Sequence, residues 1–468
     1  GRTCASDEEA NMRIASVLPT MLLLITVGAG FSRSTEVGYE QVKDLLSRYE
    51  DVRKAAGKEL VEAKDKSLLA AMNDVLYYHY FIRDKSAAKT VSKLMEEIAR
   101  EKVGSNPRQE WAEWVGRHEE IEPKPGYIHF KRSVFIRYDP TFGGFLNPRF
   151  TFRIRPEEIE WGGVKKDGIP PLQEPGHLRA SEAKYLKGSD RVFGVYVNGE
   201  ARAYPHRIMD WHEMCNDVVG GVPVSLSYCT LCGSGILFDG RVGDETFTFS
   251  SSGLLYRSNK LMYDRQTQSL WNNLTGEPVV GRLAESGIRL SLLPIVVSTW
   301  KEWKTRHPDT VVLDAEKTGF KRDYSKSPYQ EYFKSNQTMF PVWLTNDRLG
   351  TKDWVYTLIV NGQPKAYPLE TMKKEHITHD RVRGKDLVLI TEPETGGVRA
   401  YESGGKRFRK GTSEDQLVEE GSGAIWKVTE DSLIQESSDE KLPRIPGHNA
   451  FWFGWYAFYP TTEVYGRE

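Results

Sequence analysis

Cysteine is scarce in this chain, with four among 468 residues, and neither sign of charge is in excess: 64 Lys and Arg face 65 Asp and Glu, a net of −1. That balance gives no global attraction to nucleic acid or to an anionic membrane. No Cys-x-x-Cys-His is present, which excludes covalent haem. No glycine-rich fingerprint follows a strand pattern and no P-loop occurs, which excludes the common nucleotide cofactors. Long apolar runs are missing apart from Ile14 to Val27. This block follows Met12-Arg13, is too short and too soon interrupted for a membrane span, and ends at Gly28-Ala29-Gly30 before Phe31-Ser32, as a secretory signal does. The expectation is a signal peptide over residues 12–32, an extracytoplasmic location (periplasmic or secreted), and no stable membrane span after cleavage. Cys4 would then lie outside the mature protein. Cys215, Cys229 and Cys232 remain, an odd number that leaves at least one thiol free or metal-bound unless it bridges between chains.

The length suits two or three domains, and 39% hydrophobic with 28% charged residues is globular composition. From Val37 to Glu119, Val42, Leu45, Leu46, Tyr49 and Val52 recur at three- and four-residue steps, as do Leu68, Leu69, Met72, Val75 and Leu76, with charged residues between. This spacing predicts a small helical segment over residues 37–119, with His79 packed among Tyr77, Tyr78, Tyr80 and Phe81. Glu122-Pro123-Lys124-Pro125-Gly126 breaks the pattern. Tyr127 to Tyr138 and Phe150 to Ile154 then read as strands.

The remainder of the chain matches itself. Val197-Asn198-Gly199-Glu200-Ala201-Arg202-Ala203-Tyr204-Pro205 returns as Val360-Asn361-Gly362-Gln363-Pro364-Lys365-Ala366-Tyr367-Pro368, and Trp300, Trp303, Pro308, Thr310 and Val312 return as Trp452, Trp455, Pro460, Thr462 and Val464. Asn-Gly between β-rich runs signals a hairpin at the start of each unit. The expected fold is α+β: two related β-rich lobes from an internal duplication, preceded by the small helical segment. The first lobe spans residues 155–314, a linker 315–350, and a second, degenerate lobe 351–466.

Chemistry concentrates in the first lobe. Tyr228-Cys229-Thr230-Leu231-Cys232-Gly233-Ser234-Gly235 follows His212-Glu213, and two thiols at this spacing are a redox pair or half of a soft-metal site. The repeat acts as a control, because His212, Glu213, Asn216, Cys229 and Cys232 align with Glu375, His376, His379, Glu392 and Thr395 while turn and core residues persist. The scaffold therefore does not require the first-lobe set. A helix over Met209 to Val218 would put His212 and Asn216 on one face, and a strand from Val222 would deliver Cys229 beside the imidazole. On the same logic His376 and His379 would lie three apart on a helix. Met262, flanked by Leu261 and Tyr263, is a candidate thioether ligand. Asp264 and Arg265 are candidates for orienting a catalytic group.

Asp167-Gly168-Ile169-Pro170, Trp211-His212-Glu213, Asn216-Asp217, Tyr228-Cys229-Thr230-Leu231-Cys232, Met262-Tyr263-Asp264-Arg265 and Trp300-Lys301-Glu302-Trp303 together resemble the domain of unknown function 3179 family. Phe451-Trp452-Phe453-Gly454-Trp455 also looks like that family's C-terminus. The resemblance covers residues 155 to 466 and carries no established activity; members usually have Pro where this chain has Thr230. Three functions fit the residues. In the first, His212, Cys229 and Cys232, with Met262 or Glu213 as a further ligand, hold copper or zinc, with redox chemistry in the case of copper and hydrolysis or a structural role in the case of zinc. In the second, a metal-free thiol enzyme uses Cys229 as nucleophile, His212 as base, Asn216 or Glu213 to orient it, and Cys232 to resolve. The third is a non-catalytic binding module with a structural Cys229–Cys232 disulfide. The partner is a small molecule or a redox protein, and no nucleic acid is expected.

Overall fold

The computed structural model describes residues 37–467, so the expected signal segment lies outside the described residues. Helices Tyr39–Asp44, Glu50–Ala63, Leu69–Phe81, Lys85–Ala99 and Pro107–Arg117 follow the predicted periodicity. Leu69–Phe81 forms the centre of this bundle and is buried almost throughout. Lys85–Ala99 turns Ala88, Val91, Met95 and Ile98 inward, and Asp84 caps it by accepting the Ala87 amide at 2.9 Å. His79 is buried, with Nε2 2.8 Å from the Leu45 carbonyl.

The segment after Gly126, expected as a strand, is the helix Tyr127–Phe135. Tyr127, Phe130, Lys131, Val134 and Phe135 face inward at helical spacing. A lysine in that stripe disguised it, but Lys131 is paired at 2.7 Å with buried Asp74. The bundle packs on one face of a six-stranded antiparallel sheet, where Leu69, Leu76 and Phe145 share a core with Leu254, Tyr256, Leu261 and Tyr263.

The expected α+β class holds, with mostly β-rich sheets and helices gathered on the N-terminal side. Both Asn-Gly hairpins form: Arg191–Val197 with Glu200–Pro205, and Trp354–Val360 with Gln363–Pro368. Each is flanked by a late antiparallel strand, Val296–Thr299 or His448–Phe451, and by a parallel one, Val311–Leu313 or Glu463–Val464. Side-chain contacts recur in step. Tyr204 donates to Asp217 at 2.7 Å and Tyr367 to Asp380 at 2.9 Å. The indoles of Trp303 and Trp455 each donate to a threonine, Thr310 and Thr462, at 2.9 Å.

The expected helix Met209–Val218 is two elements. A seven-residue helix, His206–His212, stops at Glu213, whose φ of 56° turns the chain into the strand Met214–Val219. Residues 214–219 are nearly all buried, the polar Asn216 and Asp217 included, so the strand shows no alternation of apolar and polar residues that would set it apart from a helix. His212 and Asn216 therefore share no helical face. The same break occurs at His376, φ 62°, between helix Leu369–Glu375 and strand Ile377–Val382, so His379 sits on a strand rather than one turn from His376. A left-handed corner in both halves belongs to the scaffold; only the side chain on it differs.

Candidate functional site

Strands Val222–Cys229 and Ser234–Asp239 pair so that Cys229 faces Ser234, and the intervening turn carries both thiols. The Cys232 amide closes this turn on the Cys229 carbonyl at 3.2 Å. Gly233 adopts φ 63°, and a Cβ there would meet the Trp354 ring at 2.6 Å, so the position requires glycine. From the C-terminal half, Phe451 donates its amide to the Cys232 carbonyl at 2.7 Å, and Gly454 lies so close that a Cβ would stand 2.8 Å from Cys232 Cβ. Cys232 is thus sealed by the C-terminal half.

Cys215, Cys229 and Cys232 are buried and unbridged. The Cys232 thiol donates its one proton to the Ser258 carbonyl at 3.3 Å. Asn259 Nδ2 donates to Cys232 Sγ at 3.1 Å. Ser258 and Asn259 are held there by a two-residue hairpin turn in which Arg257 and Ser258 both have positive φ, 49° and 57°. This strained geometry is fixed by Arg257, whose guanidinium bonds Glu158 at 2.8 Å and the Ala457 carbonyl at 3.0 Å.

Lys260, on the strand Asn259–Asp264 that leaves this turn, is 3% exposed. Its ammonium donates to the Glu213 carbonyl and the Tyr228 carbonyl, each at 3.0 Å, approaches Met214 Sδ at 3.2 Å, and stands 3.9 Å from Glu213 Oε2. Glu213 Oε1 accepts from Thr230 at 3.0 Å and from Tyr329 at 2.8 Å. Burial lowers the Lys260 pKa, while Glu213 and the two cysteines oppose that shift. Burial alone would push the Cys229 thiol up. The Glu213 charge pushes the same way, but the Cys232 thiol first, and the Lys260 charge and backbone amide after it, outweigh both and hold Cys229 below its ordinary value. Cys232, buried and beside the Cys229 charge, is pushed well up. The two sulfurs are driven apart, and Cys229 is the easier of the pair to ionise.

A cavity of about 60 Å³ opens against this cluster, and its lining includes Glu213, Cys229, Lys260 and Tyr329 together with Leu231, Leu254, Leu255 and Phe340. Met339, 47% exposed, lies at its edge. Residues 315–350, expected as a linker, strap over the site: Tyr324 reaches His212, Tyr329 reaches Glu213, and Tyr332 donates to the Leu231 carbonyl at 2.6 Å.

Of the candidates, Cys229, Cys232 and Glu213 come together. His212 is engaged elsewhere, with Nδ1 2.8 Å from the Pro170 carbonyl and Nε2 2.7 Å from Tyr324 Oη. Burial lowers its pKa, so it is neutral at pH 7. Asn216 ties strands together, its side chain bonding Ser225 and both the amide and the carbonyl of Phe249. Met262 packs with Phe249 and Trp271 in an aromatic core. Asp264 braces a turn through Trp271 and Thr267, and Arg265 pairs with Asp167. Sequence reasoning missed Lys260, Asn259 and Tyr329. The available signal was the strand period of two, which puts Lys260 on the same inward face as Met262 and Asp264.

A family model described as a protein of unknown function (DUF3179) matches residues 166–462, more than half of the chain. The chain belongs to the DUF3179 family. No curated protein and no solved structure matches it. The DUF3179 region contains both cysteines, Glu213 and Lys260, and it also contains the strap and the C-terminal segment that close over them.

Proposed function

We propose that this DUF3179 protein is an extracytoplasmic dithiol oxidoreductase that works without a metal, with Cys229 as the attacking sulfur and Cys232 as the resolving one. The observation that carries this reading is a cavity lined by Cys229 and the buried Lys260 ammonium, with the second thiol, Cys232, sealed in the same turn behind it. A thiolate attacks an oxidant, and the neighbouring thiol then displaces the product to close a disulfide. Cys229, not Cys232, lines the cavity, which assigns the order. The location rests on the signal pattern of residues 12–32.

The donor set does not fit copper or zinc. Among the described residues no three His, Cys, Asp or Glu side chains converge as ligands. His212 spends both nitrogens on other partners, and Met262 lies in the aromatic core. A lysine ammonium beside the thiols would also repel a cation while performing the charge stabilisation that a metal supplies. The matched hairpins and tryptophan contacts support an internal duplication whose second copy has lost the thiols and serves as the wall over Cys232.

The test is a thiol count by mass on reduced, chelator-washed protein before and after diamide, with alkylation in denaturant. The expected result is loss of two alkylation sites and a Cys229–Cys232 cross-linked peptide, with Cys215 unchanged. A pair that stays reduced overturns the reading. Stoichiometric copper or zinc that leaves with Cys229→Ser favours the metal site instead.

A further inference from the structure

The cavity defines what reaches Cys229. Roughly 10–15 Å³ of such space holds one water, so about 60 Å³ accommodates a reactant of a few heavy atoms. The peptide arms of a glutathione-type disulfide, and a protein disulfide, exceed it. The turn bearing the thiols cannot swing out to meet a large partner without breaking the Phe451–Cys232 and Tyr332–Leu231 bonds and unpacking Gly454. The reactant must therefore be small, electrophilic toward sulfur, and compatible with a lining that mixes the polar Glu213, Lys260 and Tyr329 with leucines and Phe340.

Resting on the dithiol reading, we propose that the oxidant is a small hydroperoxide, reduced by Cys229 inside this cavity. The Cys229 thiolate attacks one peroxide oxygen, the O–O bond breaks, and the sulfur becomes a sulfenic acid while hydroxide or alkoxide departs. That leaving group takes a proton from the Lys260 ammonium, which lines the cavity and which burial makes a better acid than a lysine in water. Lys260 recovers its proton from solvent. The Cys232 sulfur then attacks the sulfenic sulfur, and its own proton leaves with the hydroxyl as water. In sum, thiolate, thiol, one proton and hydrogen peroxide yield a disulfide and two waters. Renewed turnover requires a dithiol reductant, whereas the single oxidation does not.

The experiment uses reduced full-length protein mixed with hydrogen peroxide, tert-butyl hydroperoxide or oxidised glutathione, each followed by alkylation and peptide mapping. Hydrogen peroxide is expected to close the Cys229–Cys232 disulfide at least about tenfold faster than it oxidises Cys215. Cys232→Ser, which keeps a hydrogen-bond donor but cannot resolve, is expected to accumulate a dimedone-reactive sulfenic acid at Cys229. Oxidised glutathione is expected to react slowly or not at all. Rapid oxidation by glutathione disulfide with none by peroxide would overturn the hydroperoxide assignment and leave the dithiol intact. Oxidation by diamide alone would likewise overturn only the hydroperoxide assignment, and a pair inert to every oxidant would overturn both.

Discussion

Replacing Lys260 with Met removes the cation while keeping the length of the buried stem. An opposite charge within a few ångströms of an ionisable group shifts its pKa by about 1–3 units, or about 1.4–4 kcal/mol. Lys260→Met is therefore expected to raise the Cys229 pKa, because the Lys260 charge is one of the influences that lower it and the Glu213 charge would then act unopposed. Thiolate population falls about tenfold per unit of upward shift, but intrinsic nucleophilicity rises with a Brønsted slope of about 0.4–0.5, so each such unit slows a thiol about threefold at neutral pH. The Glu213 and Tyr228 carbonyls lose a donor, which costs about 1–3 kcal/mol of stability. Lys260→Gln, which retains a donor, is expected to recover part of that stability but not the low pKa. The assay is thiolate ultraviolet absorbance against pH for wild type and both variants, with Cys229→Ser as the blank. An unchanged Cys229 titration in Lys260→Met would refute the electrostatic role given to this residue.

Cys232→Ala removes the neighbouring thiol, the strongest of the influences that lower the Cys229 pKa, and is expected to raise that pKa in the same titration. His212→Asn is expected to leave the Cys229 titration in place and lower the unfolding free energy by about 1–3 kcal/mol, since the ring holds Pro170 and Tyr324 rather than sulfur. Gly454→Ala forces a methyl onto Cys232 and is expected to cost about 1–3 kcal/mol on denaturant unfolding. Glu302 faces Glu392 across the two halves, and burial followed by the Glu392 charge pushes its carboxyl up to about 8. Because folding raises this pKa, the protonated form favours the folded state: its contribution is complete below the ordinary 4.5 and lost as pH rises to about 8. Glu302→Gln is expected to flatten the fall in melting temperature across that window, and an unaltered pH profile would contradict the assignment.

The sequence was most legible where one local rule governs. Helical spacing marked residues 39–117, and Asn-Gly marked both hairpins because positive φ is needed at Asn198 and Asn361. It misled where tertiary contacts reverse a local pattern. Lys131 made a helix look like a strand because its partner Asp74 lies far away in sequence, and strand 214–219, buried on both faces, lost the alternation that would reveal it. At the site, the thiols and Glu213 were legible from spacing. Their positive neighbour was not, because a lysine in a strand ordinarily reads as solvent-facing, and only the fold brings Lys260 beneath Tyr228. His212 was the natural base on paper, yet the strap from residues 315–350 claims its free nitrogen through Tyr324.

The most direct test of the central claim is an equilibrium redox titration of metal-free, full-length protein, with the alkylation state of each cysteine read by mass. A single two-electron transition confined to Cys229 and Cys232, with a Nernst slope of about 30 mV per tenfold change, is predicted, while Cys215 remains a thiol throughout. No transition at Cys229 and Cys232 across the accessible range, or oxidation that falls first on Cys215, would contradict the dithiol assignment.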